Sequence, residues 1–239
     1  MSNDHSDQFH LPDAPELDPS LEATVPPKFD MCLFRSSLTE GDVKKFCKIY
    51  AIPDDLHPHA PPASFTMNQL SPEYIGLYVH HFRRGGLRVP FSAFFLSVME
   101  YFCVHISQLT PLGVNHSTIF EMYCRSLDIV PTVPLFRVFY KLCKQGDWFS
   151  FQNRVGKGLK PCIKGAPTSL KKWKDKFFLI DRRTAPIAMA WRHHDSSVAD
   201  PLPSPSEYNA ADVHKLLEVP VHLHKPYNSL LYVVGLSPT

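Results

Sequence analysis

"IVPTVPLFRVFYKLCKQGDWFSF", residues 129–151, sets two prolines, four phenylalanines, a tyrosine and a tryptophan among 23 positions. Pro131 and Pro134 cannot sit inside a continuing helix, because each lacks an amide hydrogen and disfavours helical geometry in the residue before it. Pro134 suits the first turn of a new helix, and the spacing predicts one over 134–145, closed by Gly146. Leu135, Val138, Phe139 and Leu142 fall on one face of that helix and are expected in the core. Arg137, Lys141 and Lys144 share another face. "DWFSF" reads as a short strand. The aromatics are then mainly the packing surface of a helix–turn–helix–strand unit, a core before it is a working site.

Upstream, "LTEGDVKKFCKIYAIP" begins a helix, with Thr39 and Asp42 as a capping pair and Val43, Phe46, Cys47 and Tyr50 at helical spacing. Pro53 ends it. "DDLHPHAPPASFT" is a loop, and "YIGLYVHHF" (74–82) reads as a short strand. The longest apolar run, "VPFSAFFLSVMEYFCVHI" (89–106), carries Glu100 and His105 and is short for a membrane span of ~20 residues. It is expected as a buried helix opened by Pro90, and no membrane association is expected. A further helix is expected to start at 115–118, with Thr118 and Glu121 as its cap and Phe120, Tyr123, Cys124 and Leu127 facing inward. Downstream, "SLKKWKDKFFLI" reads as a basic helix running into a strand and "PIAMAW" as a second strand. "NAADVHKLLEV" is a helix capped by Asn209, and "SLLYVVGL" is an apolar run.

Together these elements predict an α+β fold, predominantly α-helical with a few short strands. The expected organisation is one globular domain over 37–239, preceded by a disordered, acidic, proline-rich arm over 1–36. Proline totals 23 residues, about twice its usual ~5% share. The prolines gather at 12–27, 53–62 and 201–205, marking an arm and surface connections.

The net charge is only +2, but it is unevenly spread. Residues 1–30 hold seven acids against Lys28, whereas residues 154–183 hold ten Lys/Arg against Asp175 and Asp181. An acidic arm and a basic strip can meet each other, or the strip can meet a polyanion. The six cysteines are widely spaced, and four lie in apolar helical patterns, as expected of reduced thiols in an intracellular protein. The opening "MSNDHSDQFH" is neither a secretory nor a transit segment.

Catalytic patterns are missing from the sequence. The 13 histidines form "HPH", "HH" and "HLH" groups without Cys-x-x-Cys or helical His-x-x-x-His partners, so no metal and no cofactor are expected. There is no Gly-x-Ser-x-Gly, and "GKGLKPCIKG" lacks the phosphate-loop order. Asp128, Asp147, Asp181, Asp195 and Glu207 can be nominated for a two-metal nuclease triad, although any chain of this size offers such acids. The face of Arg137, Lys141 and Lys144 fits either a DNA-reading helix or an ordinary solvated surface. The strip is the better candidate for nucleic acid: Arg154, Lys157, Lys160, Lys164, Lys171, Lys172, Lys174, Lys176, Arg182 and Arg183. Trp173, Phe177 and Phe178 interleave with it, either as stacking platforms or as core.

Several stretches carry a family resemblance. They are "LTEGDVKKFCKIYAIP", "IGLYVHHFRRGGLRVPFSAFFLSVMEYFCVHISQLTPLGVNHSTIFEMYC", "IVPTVPLFRVFY", "DWFSF", "LKKWKDKFFLID" and "LLYVVGLS". In this order and spacing, over residues 38–237, the chain resembles the plant gypsy-type transposase domain of transposon-derived and retrotransposon-associated proteins. The resemblance transfers no catalytic residue by position. The sequence also has no Asp-Ser/Thr-Gly protease motif, no Tyr-x-Asp-Asp polymerase motif and no Cys-x-x-Cys knuckle. Families of this kind continue past "VVGLS" into charged helices, so a chain stopping at Thr239 reads as a shortened or host-adopted copy. The resemblance implies a non-catalytic, gag-like role in assembly or nucleic-acid association, with self-association and nucleic acid as the partners. A transposase with an unrecognised acidic metal site and a domesticated protein-interaction module are the alternatives.

Overall fold

A computed structural model describes residues 30–154, 160–165, 169–185, 191–193, 200–218, 221–222, 231–232 and 234–236. The fold is α+β, with helices in the majority and the strands confined to small two-stranded pairs. Its centre is α4, Pro111–Ser126, whose side chains are buried from Pro111 through Cys124. Thr110 caps it, accepting the Gly113 N–H at 3.1 Å, and Pro111 occupies the first turn, where its missing amide costs nothing.

The start of α4 lies several residues before the expected 115–118. Thr118 and Glu121 are mid-helix and buried. The polar residues of this helix look like a surface in sequence, but several find partners inside. Asn115 donates to the Arg84 carbonyl at 2.8 Å, and Ser117 donates to its own helix. Glu121 is held by Ser92 at 2.6 Å and Arg125 at 2.8 Å.

Helix α1 (Glu40–Tyr50) begins with the expected Thr39/Asp42 capping box and buries Val43, Phe46 and Cys47. Strand β1 is shorter than expected, Tyr74–Tyr78, because the chain turns at Val79 into helix α2, Val79–Arg83. The apolar run forms α3, Ala93–Phe102, opened by Ser92 rather than Pro90: the Ser92 hydroxyl accepts the Phe95 N–H at 3.1 Å. Among the described residues, no helix is long and apolar enough to cross a membrane.

The opening stretch of the sequence divides differently from the expectation. Helix α5 covers only Val133–Phe139; the chain then becomes β2, Tyr140–Gln145, turns at Gly146–Asp147, and returns as β3, Trp148–Asn153. Gly146 has φ 65°, a conformation that serves a two-residue hairpin as well as a helix end. The buried positions are nevertheless the expected ones: Leu135, Val138, Phe139 and Leu142 are all in the core. Arg137 is not on a solvated face. It is buried and paired, so the shared basic face with Lys141 and Lys144 does not exist.

β3 lies against α4. Thr110 N–H donates to the Phe149 carbonyl at 2.8 Å, and His116 Nδ1 donates to the Phe151 carbonyl at 2.8 Å. Gly113 permits this approach, since a Cβ there would meet Leu109 Cδ1 at 2.7 Å and the Ser150 Cα at 3.3 Å. Strand β5, Phe177–Asp181, pairs antiparallel with β1. The basic helix expected before it is absent: Lys171 to Lys176 run irregularly, with a bend at Lys172 and a turn at Lys174–Asp175. A two-residue strand β4, Ile163–Lys164, pairs in parallel with β6, Val221–His222. Between them in sequence lies α6, Ala210–Glu218, whose first turn is capped by Asn209. The expected strand "PIAMAW" lies, except for Trp191, outside the described residues.

Two apolar clusters hold the fold. The larger gathers α1, α3, α4, α5 and the two hairpin strands; the smaller contains Met31, Met67, Tyr78, Trp148, Trp173 and Phe177, with Phe34, Phe65 and Leu170 against it. Residues 30–36, expected as the end of the arm, are thus part of the domain. Met31 is 1% exposed, and Ser36 donates to the Phe177 carbonyl at 2.5 Å.

Candidate nucleic-acid interface

The smaller cluster underlies a cleft of about 520 Å³. One wall is the start of α4 (Thr110, Pro111, Leu112), and the second is the β2–β3 turn (Lys144, Gln145, Gly146, Trp148). The third is the turn segment with Ser169, Leu170, Trp173 and Lys174.

The floor is rigid. Trp148 donates its indole N–H to the Tyr78 hydroxyl at 3.0 Å and meets Trp173 edge-on at 5.3 Å. Burial pushes the Tyr78 hydroxyl well above the ordinary range, so it stays protonated. Lys174 lies across this floor, its ammonium 4.6 Å from the Trp148 ring centroid and 4.7 Å from that of Phe34. Lys144 is exposed on the opposite rim, and Lys171 and Lys172 are exposed in the turn that carries Lys174. The cleft is therefore cationic at its edge and aromatic beneath.

The strip predicted from sequence does not lie on one face. Arg154 folds inward, donating to the carbonyls of Arg137 at 2.6 Å and Tyr140 at 3.1 Å and pairing with Asp200 at 2.9 Å. Arg182 and Arg183 follow β5 at its far end. Arg183 forks onto Asp181 and donates to the Asp55 carbonyl. His57 and Arg183 together hold the Asp181 carboxyl below its usual range. Lys160 and Lys164 are exposed near β4, Lys176 is half-buried, and Lys157 lies outside the described residues. Of the predicted set only Lys174 lines the cleft, with Lys171 and Lys172 exposed just before it in sequence, and Lys144 lines it from the hairpin.

The interleaved aromatics are core. Trp173 is 6% exposed and Phe177 and Phe178 are fully buried, so none offers a ring face for stacking. Among the acids nominated for a metal triad, Asp147 accepts the Met31 N–H at 2.7 Å, Asp181 is committed to Arg183, and Glu207 faces Arg137. Asp195 lies outside the described residues. Among the described residues, no three His, Cys, Asp or Glu side chains are grouped to hold a metal ion.

A mixed α+β domain with a basic cleft and no grouped catalytic acids among its described residues is the class that fold and site define. Residues 77–144, from the end of β1 through most of β2, match the family described as "Putative gypsy type transposon". Over those residues the match supports a gypsy-type transposase-like domain. No curated protein and no solved structure matches it.

Proposed function

We propose that this domain is a non-catalytic, gag-like component of a gypsy-type element and that it associates with nucleic acid through the cleft rim. The observation that supports this reading is that Lys144 and Lys174, from segments far apart in sequence, line one cleft, with Lys171 and Lys172 exposed in the segment beside it. Ammonium groups on a rim neutralise phosphates and release counterions, a contact that supplies affinity without reading bases. With Trp148 and Trp173 buried, stacking contributes little, so the expected ligand is any phosphate backbone, single-stranded or duplex.

The test is mobility shift of the purified chain with unrelated single-stranded and duplex oligonucleotides at low salt, with and without magnesium or manganese. Binding of both forms with little sequence preference, and intact strands after incubation, is the expected result. Metal-dependent cleavage abolished by one acidic substitution would replace this reading with a transposase. No binding would replace it with a protein-interaction module.

A further inference from the structure

We propose that the acidic segment 1–29 docks into the basic cleft of its own chain and competes there with nucleic acid. The competition rests on the nucleic-acid reading above; the docking does not. Three observations carry it.

The first is where the chain reaches the cleft. Met31 N–H is bound to the carboxylate of Asp147, in the turn that forms one wall. Phe34 packs edge-on against Trp148 at 6.0 Å, under the ammonium of Lys174. Ser37 is fastened to the Asp175 carbonyl through both its N–H and its hydroxyl, at 2.8 and 2.9 Å. Residues 30–37 therefore run beside the cleft, and segment 1–29 precedes them in the chain.

The second is charge. Segment 1–29 holds Asp4, Asp7, Asp13, Glu16, Asp18 and Glu22 against Lys28 alone. The cleft is lined by Lys144 and Lys174, with Lys171 and Lys172 exposed in the adjoining segment. Of the two acids beside the cleft in sequence, Asp147 is engaged by the Met31 amide, and Asp175 directly follows Lys174.

The third is reach. Glu22 lies eight residues before Asp30, and eight residues extend to at most about 26 Å. That length lets Glu22, Asp18 and Glu16 arrive at the lysines successively. The tether makes the encounter intramolecular, with an effective concentration in the millimolar range, so individually weak ion pairs suffice.

The experiment uses the full chain and a variant carrying Glu16→Gln, Asp18→Asn and Glu22→Gln. Zero-length carbodiimide coupling followed by peptide mass spectrometry joins carboxylates to amines in direct contact. The expected result is links from Glu16, Asp18 or Glu22 to Lys144, Lys171, Lys172 or Lys174, within one chain. They should disappear in about 1 M salt, where the screening length falls to about 3 Å. Absence of these links, or links found only between differently isotope-labelled copies, would overturn the proposal.

Oligonucleotide binding at low salt is the second arm of the test. A segment occupying the cleft nine-tenths of the time weakens binding about 10-fold, so the variant should bind about 10-fold tighter than the wild type. Links without oligonucleotide binding by either protein would leave the docking standing and refute the nucleic-acid reading. Equal binding by both proteins, without links, would refute the docking and keep the nucleic-acid reading.

Discussion

Arg137 and Asp200, 63 positions apart, form a buried ion pair with Nε 3.1 Å from Oδ1 and side chains only 5% and 4% exposed. The other Asp200 oxygen takes the Arg154 guanidinium at 2.9 Å and the Leu142 N–H at 3.2 Å. Arg137 also donates to the Pro201 carbonyl at 2.8 Å and lies 4.5 Å over the Tyr101 ring. One carboxylate thus joins the α5–β2 junction to the segment that leads into α6 and pairs with two buried guanidinium groups, with Glu207 3.7 Å from Arg137 as a second acid.

Breaking such a pair leaves uncompensated charge inside the protein, which costs about 3–5 kcal/mol. Asp200→Ala removes the close carboxylate of both cations, leaving Arg137 only Glu207 at 3.7 Å, whereas Arg137→Ala leaves Asp200 still paired with Arg154. Asp200→Ala is therefore expected to lower the denaturation midpoint more than Arg137→Ala. The reverse order would show that Arg154 is not held by this carboxylate.

Phe139 and Lys141 sit two positions apart on either side of the helix-to-strand junction. The Phe139 ring is buried, 6.1 Å from Phe120, and its truncation to alanine should cost about 3–5 kcal/mol. Lys141→Ala, at a half-buried strand position, should shift stability by no more than about 0.5 kcal/mol. Urea midpoints of the two variants provide the check, and equal midpoints would place Phe139 outside the core.

Acid should destabilise the fold through its histidines. His81 donates from Nε2 to the Leu109 carbonyl and His116 from Nδ1 to the Phe151 carbonyl, both deep in the core. Burial pushes each down to about 4 from an ordinary 6.5. His105, whose Nδ1 accepts the Ser107 N–H at 3.2 Å, is also pushed down to about 4 by burial. The unfolded chain therefore binds protons between pH 6.5 and 4 that the folded chain refuses. Stability is full above pH 6.5, falls through that window and levels off below it. The loss is up to about 3 kcal/mol for each fully buried ring. Chemical denaturation at pH 7.5, 6 and 5 checks it: His116→Gln should flatten the decline, and a midpoint independent of pH would contradict these placements.

Much of the core was legible in the sequence, because apolar residues recur at spacings that helices and strands partly share. The hairpin was not. In "KLCKQGDWFSF", Gly146 satisfies a helix end and a two-residue turn equally well, since both require positive φ. The Gly-Asp pair beside aromatic, period-two sequence was the available signal. That misassignment displaced Lys144 from the cleft rim and put Arg137 on a surface it does not occupy. The start of α4 was missed for a different reason. Asn115, His116 and Ser117 look solvated until their buried partners are known, and those of Asn115 and His116 lie outside the helix, at Arg84 and Phe151. Of the basic strip, local charge density showed that polyanion contact was plausible in principle. Only the tertiary structure separates Lys171 and Lys172, left exposed beside the cleft segment, from Arg154, consumed by Asp200.

The measurement that tests the central claim most directly is the salt dependence of oligonucleotide binding, for the wild type and for Lys144→Gln/Lys171→Gln/Lys172→Gln. All three lysines are at exposed positions, so the fold should persist. Each phosphate contact contributes a log–log slope of about −0.7 on single strands and −0.9 on duplex. The wild type is expected to show on the order of three to five contacts, and the triple variant a slope flatter by about two to three units. Parallel slopes for the two proteins, or no wild-type binding at low salt, would contradict a nucleic-acid interface at this cleft.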